Sequence, residues 1–330
     1  MNEAATDARV RDRAQEARER LAALRDEIHR VIVGQDELVD RLLMGLLCGG
    51  HILMEGVPGL GKTLCATTLA RTLDARFKRI QFTPDLLPGD LLGSEIYNPQ
   101  TGEFTTREGP IFANLILADE VNRAPAKVQS ALLEAMQERQ VTIGGQTFRL
   151  PELFLVIATQ NPIEQEGTYP LPEAQVDRFL LKLQVPYPTR EEEAAIIERM
   201  AVSEPSLEVG KVLSPTEMLE YRRAADAVYV DPRVRDYVLD IVRLSRERRE
   251  DLGLSRLVEW GASPRASMYL VMAARARALM DGRAFAIPDD VKAAAPDVLR
   301  HRVILTFEAE AEGVGPDSVI RRILDYVPVP

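Results

Sequence analysis

Through the first half of the chain, short apolar runs alternate with longer segments in which apolar residues recur at helical spacing. A short apolar run is typical of a buried strand in a parallel sheet, and a longer periodic segment predicts a helix. The predicted strands are 51–55, 77–83, 114–118, 153–159 and 179–185. The predicted helices are 36–48, 62–74, 125–138 and 173–178. This alternation predicts a three-layer α/β domain.

The pattern changes at residues 186–189, Pro-Tyr-Pro-Thr, which we interpret as a linker with Thr189 capping the next helix. Beyond the linker the strand-like runs disappear, and segments punctuated by Pro or Gly predict an all-α domain. Its predicted helices are 190–202, 215–228, 232–249, 264–281, 288–300 and 316–326.

Near the N-terminus, Leu21, Leu24, Ile28 and Val31 recur at helical spacing within a charged background. They predict one amphipathic helix with a frayed beginning. The whole pattern therefore predicts three parts. These are an N-terminal helix over 1–30, an α/β core over 31–188 and a helical domain over 189–330.

Two segments of the core are rich in turn-forming residues flanked by strand-like runs. Residues 85–107 contain Asn-Pro-Gln-Thr-Gly between two such runs, and residues 140–149 place Gly144-Gly145 between two more. Both predict β-hairpins that project from the core. The alternative is a pair of surface loops without a function of their own.

Composition mainly excludes functions. The 330 residues are 46% hydrophobic and carry a net charge of −10, which disfavours an extended nucleic-acid surface. Cys48 and Cys65 lack metal or disulfide spacing, and His29, His51 and His301 are isolated, so we predict buried thiols and structural histidines.

The longest apolar stretch, 42–54, is too short to span a membrane, and the N-terminus lacks an apolar signal core. We therefore expect a cytoplasmic protein.

The strongest chemical motif is Gly56-Val57-Pro58-Gly59-Leu60-Gly61-Lys62-Thr63, which fits the phosphate-binding loop G-x-x-x-x-G-K-[ST]. A predicted strand precedes it and a predicted helix follows, as the motif requires. Backbone N–H groups and the helix N-terminus would hold phosphates, Lys62 would reach the β- and γ-phosphates, and Thr63 would hold magnesium. A Gly-rich turn is the alternative, but we expect a nucleoside triphosphate site.

A second motif is the apolar strand that ends in Asp119-Glu120. It places two carboxylates at the carboxyl edge of the sheet, where ligands bind in open α/β folds. Because successive strand residues point in opposite directions, the two acids can act differently. We expect Asp119 to contact the magnesium shell and Glu120 to polarise the attacking water. A solvated strand end is the alternative.

Two further side chains are predicted at the same edge. Asn161 follows the strand 153–159, where its amide would orient the attacking water, and an Asn-Pro turn is the alternative. Arg178 precedes the last strand, from which a guanidinium would reach a γ-phosphate bound by a neighbouring subunit. A structural pair with Asp177 is the alternative.

These motifs, together with Gly261-Ala262-Ser263-Pro264-Arg265, resemble those of AAA+ ATPases, and finer details resemble the MoxR family. The resemblance covers roughly residues 30 to 330 and shows no departure at the nucleotide site. The segments that carry the finer resemblance are 33–35, 54–59, 81–90, 119–125, 131–138 and 158–162.

The resemblance implies an αβα P-loop core with a parallel sheet, a C-terminal all-α lid, and a ring, usually a hexamer, with ATP between subunits. It assigns Asn161 to the sensor-1 role, Arg178 to the arginine finger and Arg265 to sensor 2, with a surface arginine as the alternative for Arg265. The nucleotide-binding residues it implies are Val33, Gly34 and Gln35 around adenine, and Gly56, Val57, Pro58, Gly59, Leu60, Gly61, Lys62, Thr63 and Leu64 around the phosphates.

The family also implies a chaperone-like function. We expect an ATP-hydrolysing ring that remodels or matures partner proteins, with both hairpins near the pore. The implied partners are a protein with a von Willebrand factor A domain and a client enzyme or complex, some of which receive a metal cofactor. A nucleic-acid motor is the first alternative, although the hairpins lack a dense basic and aromatic pattern. A slow ATP-dependent regulatory switch is the second.

Overall fold

The structure, a computed structural model, describes residues 3–161 and 167–330, with side chains from Val10 onward. Pro162 of the predicted Asn-Pro turn lies outside the described residues. The helices are α1 (Glu3–His29), α2 (Asp36–Cys48), α3 (Lys62–Thr72), α4 (Pro88–Leu92), α5 (Ala126–Glu138), α6 (Glu173–Val176), α7 (Arg190–Met200), α8 (Pro215–Asp226), α9 (Pro232–Leu244), α10 (Leu254–Leu257), α11 (Pro264–Met280), α12 (Pro288–Leu299), α13 (Phe307–Ala311) and α14 (Pro316–Tyr326). The strands are β1 (Ile52–Glu55), β2 (Phe77–Gln81), β3 (Gly93–Asn98), β4 (Glu103–Glu108), β5 (Leu115–Asp119), β6 (Gln140–Ile143), β7 (Gln146–Arg149), β8 (Leu155–Gln160), β9 (Leu181–Gln184), β10 (Val258–Trp260) and β11 (Ile304–Leu305).

The core is a five-stranded sheet in the order β2-β5-β8-β1-β9. Three neighbouring pairs of strands run parallel: β1 with β8, β5 with β8, and β2 with β5. Strands β1, β5 and β8 are apolar and buried along most of their length, as expected for the middle of a sheet covered on both faces. All five strands that the apolar runs predict are present, so the α/β prediction is confirmed.

Parallel pairing brings the carboxyl ends of the strands to one edge of the sheet. In the β2–β5 register Gln81 lies opposite Asp119, and in the β1–β8 register Glu55 lies opposite Gln160. Helix α3 begins just after the loop that leaves β1 at this edge. The fold therefore gathers the polar residues that follow each strand into one region, where ligands bind in open α/β sheets.

Both predicted hairpins are present. Strand β3 pairs antiparallel with β4, and β6 pairs antiparallel with β7 through the Gly144-Gly145 turn. The first hairpin begins later than predicted, because residues 88–92 form the short helix α4, whose start is stabilised by a 2.9 Å hydrogen bond from the Leu87 N–H to the Asp90 carboxylate. A Cβ at Gly144 would lie 1.8 Å from the Glu95 carboxyl carbon, so the turn of the second hairpin lies against a side chain of the first.

The C-terminal part is helical, as predicted, with one exception. Helices α9, α11 and α12 bury their apolar residues against one another. The predicted all-α domain also contains a small antiparallel ladder between β10 and β11. These strands are too short to show an alternating pattern, so they could not be predicted from the sequence. Among the described residues, no helix is both long and apolar enough to cross a membrane.

The chain divides into two compact units. One consists of Ala23–Arg178 and Leu183–Leu219, and the other of Met1–Ala22, Phe179–Lys182 and Glu220–Pro330. Their limits differ from the domain limits 30/31 and 188/189 that we drew from the sequence. Those limits stay a prediction.

Candidate functional site

The phosphate-binding loop joins the buried strand β1 to helix α3. Gly59 and Gly61 have φ values of 88° and 73°, in the left-handed region that favours glycine, and Gly61 directly precedes the first residue of α3. These conformations curl the backbone ahead of the helix N-terminus, whose free N–H groups attract anions. The loop thus has the local geometry of a phosphate site.

Lys62 lies within this loop with its charge partly withdrawn from water. Its Nζ donates a 2.6 Å hydrogen bond to the carbonyl of Gly56. Burial lowers the pKa of the Lys62 ammonium, although the carboxylates of Asp119 and Glu120 favour its charged form. A cation held in this way by one neutral carbonyl can exchange that partner for a phosphate oxygen.

Asp119 and Glu120 stand at the end of β5, each within its own set of hydrogen bonds. The Asp119 Oδ1 accepts a 2.6 Å bond from the Thr159 hydroxyl, and its Oδ2 accepts bonds of 3.0 and 2.6 Å from the Arg79 guanidinium. The Glu120 Oε2 accepts bonds of 2.8 Å from Gln81 and 3.1 Å from Arg123. The two acids therefore have different surroundings, as different chemical roles require.

The backbone at Glu120 is also unusual. Its φ of 55° and ψ of 51° lie in the left-handed region, which few non-glycine residues adopt. The Thr159 hydroxyl accepts a 2.9 Å hydrogen bond from the Glu120 N–H, so a neighbouring strand fixes this conformation. Strained residues of this kind cluster at functional sites.

The loop, both acids and Asn161 surround a single cavity of about 420 Å³. Asn161 is buried, with 8% of its surface exposed. The predicted convergence of strand ends is thus observed. The lining residues are Gly56, Pro58, Gly59, Leu60, Gly61, Lys62, Thr63, Leu64, Arg79, Asp119, Glu120, Thr159 and Asn161.

The segment predicted around adenine is tied to the same loop. Gln35 Nε2 donates a 2.7 Å hydrogen bond to the Leu60 carbonyl. Gly34 and Gln35 both have positive φ values, 59° and 57°, just before α2 begins. Glycine suits the left-handed backbone at position 34, where a Cβ would also lie 1.9 Å from a Glu192 carboxylate oxygen and displace that side chain. Val33–Gln35 therefore lies beside the phosphate-binding loop.

The two remaining arginines lie on other elements. Arg178 follows the four-residue helix α6 and donates a 3.3 Å hydrogen bond to the Leu133 carbonyl. Arg265 is half-buried in the first turn of α11, after Pro264. The structure contains one chain and no nucleotide, so the arginine-finger role of Arg178 and the sensor-2 role of Arg265 stay predictions.

Residues Arg79, Gln81 and Thr159 belong to the site but were missed from the sequence. Arg79 and Gln81 are two positions apart on β2, so their side chains lie on the same face of the strand. A polar pair with this spacing at the end of a strand was the signal available for them. Thr159 lies in the apolar strand β8, two residues before Asn161. A hydroxyl in such a strand needs a hydrogen-bond partner.

The oxygen donors at this edge fit a magnesium ion. The Thr63 hydroxyl and the Asp119 and Glu120 carboxylates line one cavity with the phosphate-binding loop. Mg²⁺ prefers hard oxygen ligands and is held in nucleotide enzymes by one or two side chains plus substrate phosphates. The donor set therefore matches a metal that enters with a nucleotide.

Comparisons with known proteins agree with this geometry. Residues 51–181 match the family described as "ATPase family associated with various cellular activities (AAA)", and residues 254–323 match the AAA lid domain. A solved structure from Cytophaga hutchinsonii, described as a candidate ATPase, aligns with a TM-score of 0.90 and 47% identity over 97% of both chains.

Curated relatives extend over nearly the whole chain. Chaperone MoxR1 from Mycobacterium tuberculosis is 53% identical over 92% of this chain and 81% of its own. Protein MoxR from Methylorubrum extorquens is 32% identical over 95% of this chain and 96% of its own. With both the ATPase and the lid regions matched, the chain belongs to the MoxR family of AAA ATPases.

Proposed function

We propose that this chain hydrolyses ATP as a subunit of a hexameric ring and uses the energy to remodel or mature partner proteins. The observation that carries the proposal is the single cavity in which the phosphate-binding loop, Asp119, Glu120 and Asn161 meet. A site that lacked a general base and a water-orienting amide would indicate a protein that binds a nucleotide without hydrolysing it. This cavity contains the groups that hydrolysis needs.

In this proposal, ATP binds with its phosphates on the loop 56–63 and its adenine beside Val33–Gln35. Lys62 exchanges the Gly56 carbonyl for phosphate oxygens. Thr63 and Asp119 would hold Mg²⁺, which would supply positive charge beside the phosphates. Because Lys62 is half-buried, water screens its charge less, and its attraction for phosphate is stronger.

Glu120 is the proposed general base and Asn161 the residue that orients the attacking water. Both line the cavity beside the phosphate-binding loop. Gln81 and Arg123 hold the Glu120 carboxylate, so its position is fixed before a substrate arrives. A carboxylate that points at the water and an amide that aligns it are sufficient for in-line attack.

Arg178 is the proposed arginine finger, donated to the site of the next subunit, and Arg265 the proposed lid contact to the nucleotide. Arg178 follows a short helix that buries no residue, a position from which a side chain can reach a neighbouring molecule. Arg265 stands in the first turn of the long helix α11. A guanidinium suits both tasks, because it stays charged and binds phosphate through two donors.

The hairpins are the proposed contact with the client. Tyr97 and Phe104 pair across the first hairpin, with ring centroids 5.1 Å apart, and remain 53% and 65% exposed. Exposed aromatic pairs are typical of binding surfaces. The relative named a chaperone supports this class of function. We further propose a partner with a von Willebrand factor A domain and a cytoplasmic location.

The first prediction separates binding from hydrolysis. Lys62→Ala should abolish ATP binding, because it removes the charge that faces the phosphates. Glu120→Gln should bind ATP with parental affinity but lower kcat by about 100-fold or more, because the amide cannot accept the proton of the water. Calorimetric ATP affinity and steady-state phosphate release measure the two effects.

A matched control is Glu138→Gln, which neutralises a carboxylate at the end of α5. This variant should retain both affinity and turnover. Parental turnover in Glu120→Gln would contradict the base assignment and favour a different acceptor for the proton.

A further inference from the structure

Three consecutive cationic or titratable residues are buried at the end of α12. Arg300, His301 and Arg302 expose only 9%, 5% and 4% of their surfaces. Burial of such groups is unfavourable unless hydrogen bonds compensate for the lost water. Neither the nucleotide site nor the hairpins account for them, so their partners indicate what they do.

Their partners include backbone carbonyls just before β9 and within its first residues, and Arg300 also pairs with the carboxylates of Asp297 and Asp317. Arg302 donates to the carbonyls of Phe179 and Leu180, the latter at 3.3 Å. His301 Nε2 donates a 3.1 Å bond to the Phe179 carbonyl, and Arg300 donates to the carbonyl of Lys182. Together these three residues hold the backbone of residues 179–182.

Arg302 also contacts a second element. Its guanidinium carbon lies 4.9 Å from the ring centroid of Tyr269, which is a cation–π distance. Tyr269 is on α11, one helical turn after Arg265. A single guanidinium therefore joins the helix that carries Arg265 to the first residue after Arg178.

On its N-terminal side Arg178 is held by a short turn, in which its N–H donates a 3.1 Å hydrogen bond to the Gln175 carbonyl. Helix α6 has four residues, none of them buried. Arg178 is joined by one peptide bond to Phe179, which is fully buried and receives donors from both Arg302 and His301. On the C-terminal side of Arg178, the nearest backbone held by side chains is thus the one that Arg302 and His301 hold.

We propose that Arg302 is a positioning residue for hydrolysis. It holds the Phe179 carbonyl against α11 and so sets the direction in which Arg178 leaves the backbone. This role rests on the proposed function of Arg178 as the arginine finger. A guanidinium is required because its planar fork donates to several carbonyls while its face stacks on Tyr269, and an ammonium cannot do both.

The test compares Arg302→Lys with Arg178→Ala and with the double variant. Arg302→Lys should lower kcat by about tenfold and leave the ATP dissociation constant within about twofold, because the phosphate site is intact. In the Arg178→Ala background the same change should lower kcat by less than about twofold, since residues that act as a unit are not additive. Light scattering and thermal unfolding establish that each variant is folded and assembled.

Arg256→Lys is the matched control. Arg256 belongs to the same unit but pairs with Glu308 and Glu312 at the surface, so this variant should retain parental kcat. If Arg302→Lys fails to fold, Tyr269→Leu takes its place. It leaves the carbonyl bonds but removes the stacking, and it should also lower kcat without an added effect on Arg178→Ala.

The outcomes separate the two proposals. If Arg178→Ala hydrolyses ATP at the parental rate, the arginine-finger assignment is wrong and the positioning role falls with it. If Arg178→Ala is slow but Arg302→Lys is parental, or if the two losses multiply, only the positioning role is overturned. In the multiplicative case Arg302 contributes to the fold and not to Arg178.

Discussion

The two acidic side chains of the site are each held by hydrogen bonds from neighbouring elements. Asp119 receives the Arg79 guanidinium and the Thr159 hydroxyl, and Glu120 receives Gln81 and Arg123. These bonds come from β2, β8 and the turn after β5, so the site is cross-linked before a ligand binds. Such support at the residue scale lowers the reorganisation that the reaction requires.

His301 is the opposite case, because its surroundings disfavour the charged form. Burial and the nearby charge of Arg302, with smaller contributions from Lys182 and Arg300, lower its pKa well below the usual range. The neutral ring donates from Nε2 to the Phe179 carbonyl, and its Nδ1 is buried without a hydrogen-bond partner. Folding therefore requires a neutral His301.

This requirement predicts an acid-sensitive step in stability. The unfolded chain binds a proton at His301 below about pH 6.5, whereas the folded chain does not, so stability falls by up to about 1.4 kcal/mol for each pH unit below that value. His301→Gln keeps a donor for the Phe179 carbonyl but cannot titrate. Its melting temperature should drop less than that of the parent between about pH 7.5 and pH 5.5.

The measurement is thermal unfolding at both pH values, with the drop compared between the two proteins. His51→Gln is the control, because His51 also bonds to backbone groups inside the fold, at Met136 and Val156. An equal drop in the parent and in His301→Gln would show that His301 does not govern the acid response.

Residues whose role follows from a motif were predictable, whereas those whose role follows from pairing were not. Lys62 and Asp119 were identified because each follows an apolar strand in a recognisable pattern. Arg79 enters the site only because β2 pairs with β5 and places Gln81 opposite Asp119. Strand order is not encoded locally in the sequence, so the polar pair Arg79 and Gln81 could not be assigned to this site from its spacing alone.

At the scale of elements, long periodic segments were predicted well. Helix α2 was predicted to its ends, and the five core strands were found within a few residues. The short elements α10, β10, β11 and α13 were missed, since two to five residues are too few to show a period. They are held by tertiary bonds, such as the one from the Thr306 N–H to the Leu257 carbonyl.

The first hairpin is the element whose function is most directly testable. Its outward residues Tyr97 and Phe104 bury little and stabilise the core little. Replacing both with Ser should therefore leave basal ATPase within about twofold, because the nucleotide cavity is untouched, and should remove partner-dependent stimulation or client maturation. Shortening residues 95–105 should have the same effect.

The control is Tyr187→Ser, which removes an aromatic residue that is 72% exposed outside the hairpins. It should change neither activity. ATPase assays with and without the partner measure these effects. Full client activity in the double Ser variant would show that the aromatic pair does not bind the client.

At the scale of the whole molecule, the parallel sheet and the helical lid followed from the alternation and from its end at the Pro-rich linker. The limits of the compact units did not follow, because residues 179–182 belong to the unit that contains 220–330, although 181 and 182 are the first residues of β9 in the core sheet. The bonds that place them there come from Arg300, His301 and Arg302, more than 100 residues later in sequence. A local sequence pattern cannot predict a contact between residues so far apart along the chain.

The last prediction concerns the assembly. If Arg178 acts on the nucleotide of the next subunit, Arg178→Ala should bind ATP but hydrolyse it slowly, and Lys62→Ala should be inactive. Mixed subunits should recover activity, because an intact phosphate site on one meets an intact Arg178 on the other. With equal amounts and random assembly, such interfaces make up about a quarter of the total, which sets the expected recovery relative to the parent.

Mixing Lys62→Ala with Glu120→Gln is the matched control for this complementation. Lys62 and Glu120 line the same cavity of one chain, so neither subunit can restore what the other lacks. Recovery in the first mixture and none in the second would locate Arg178 across a subunit boundary. If light scattering confirms mixed oligomers and neither pair recovers at any ratio, Arg178 acts within its own chain. The ATPase assignment would then stand, while the shared site would have to be abandoned.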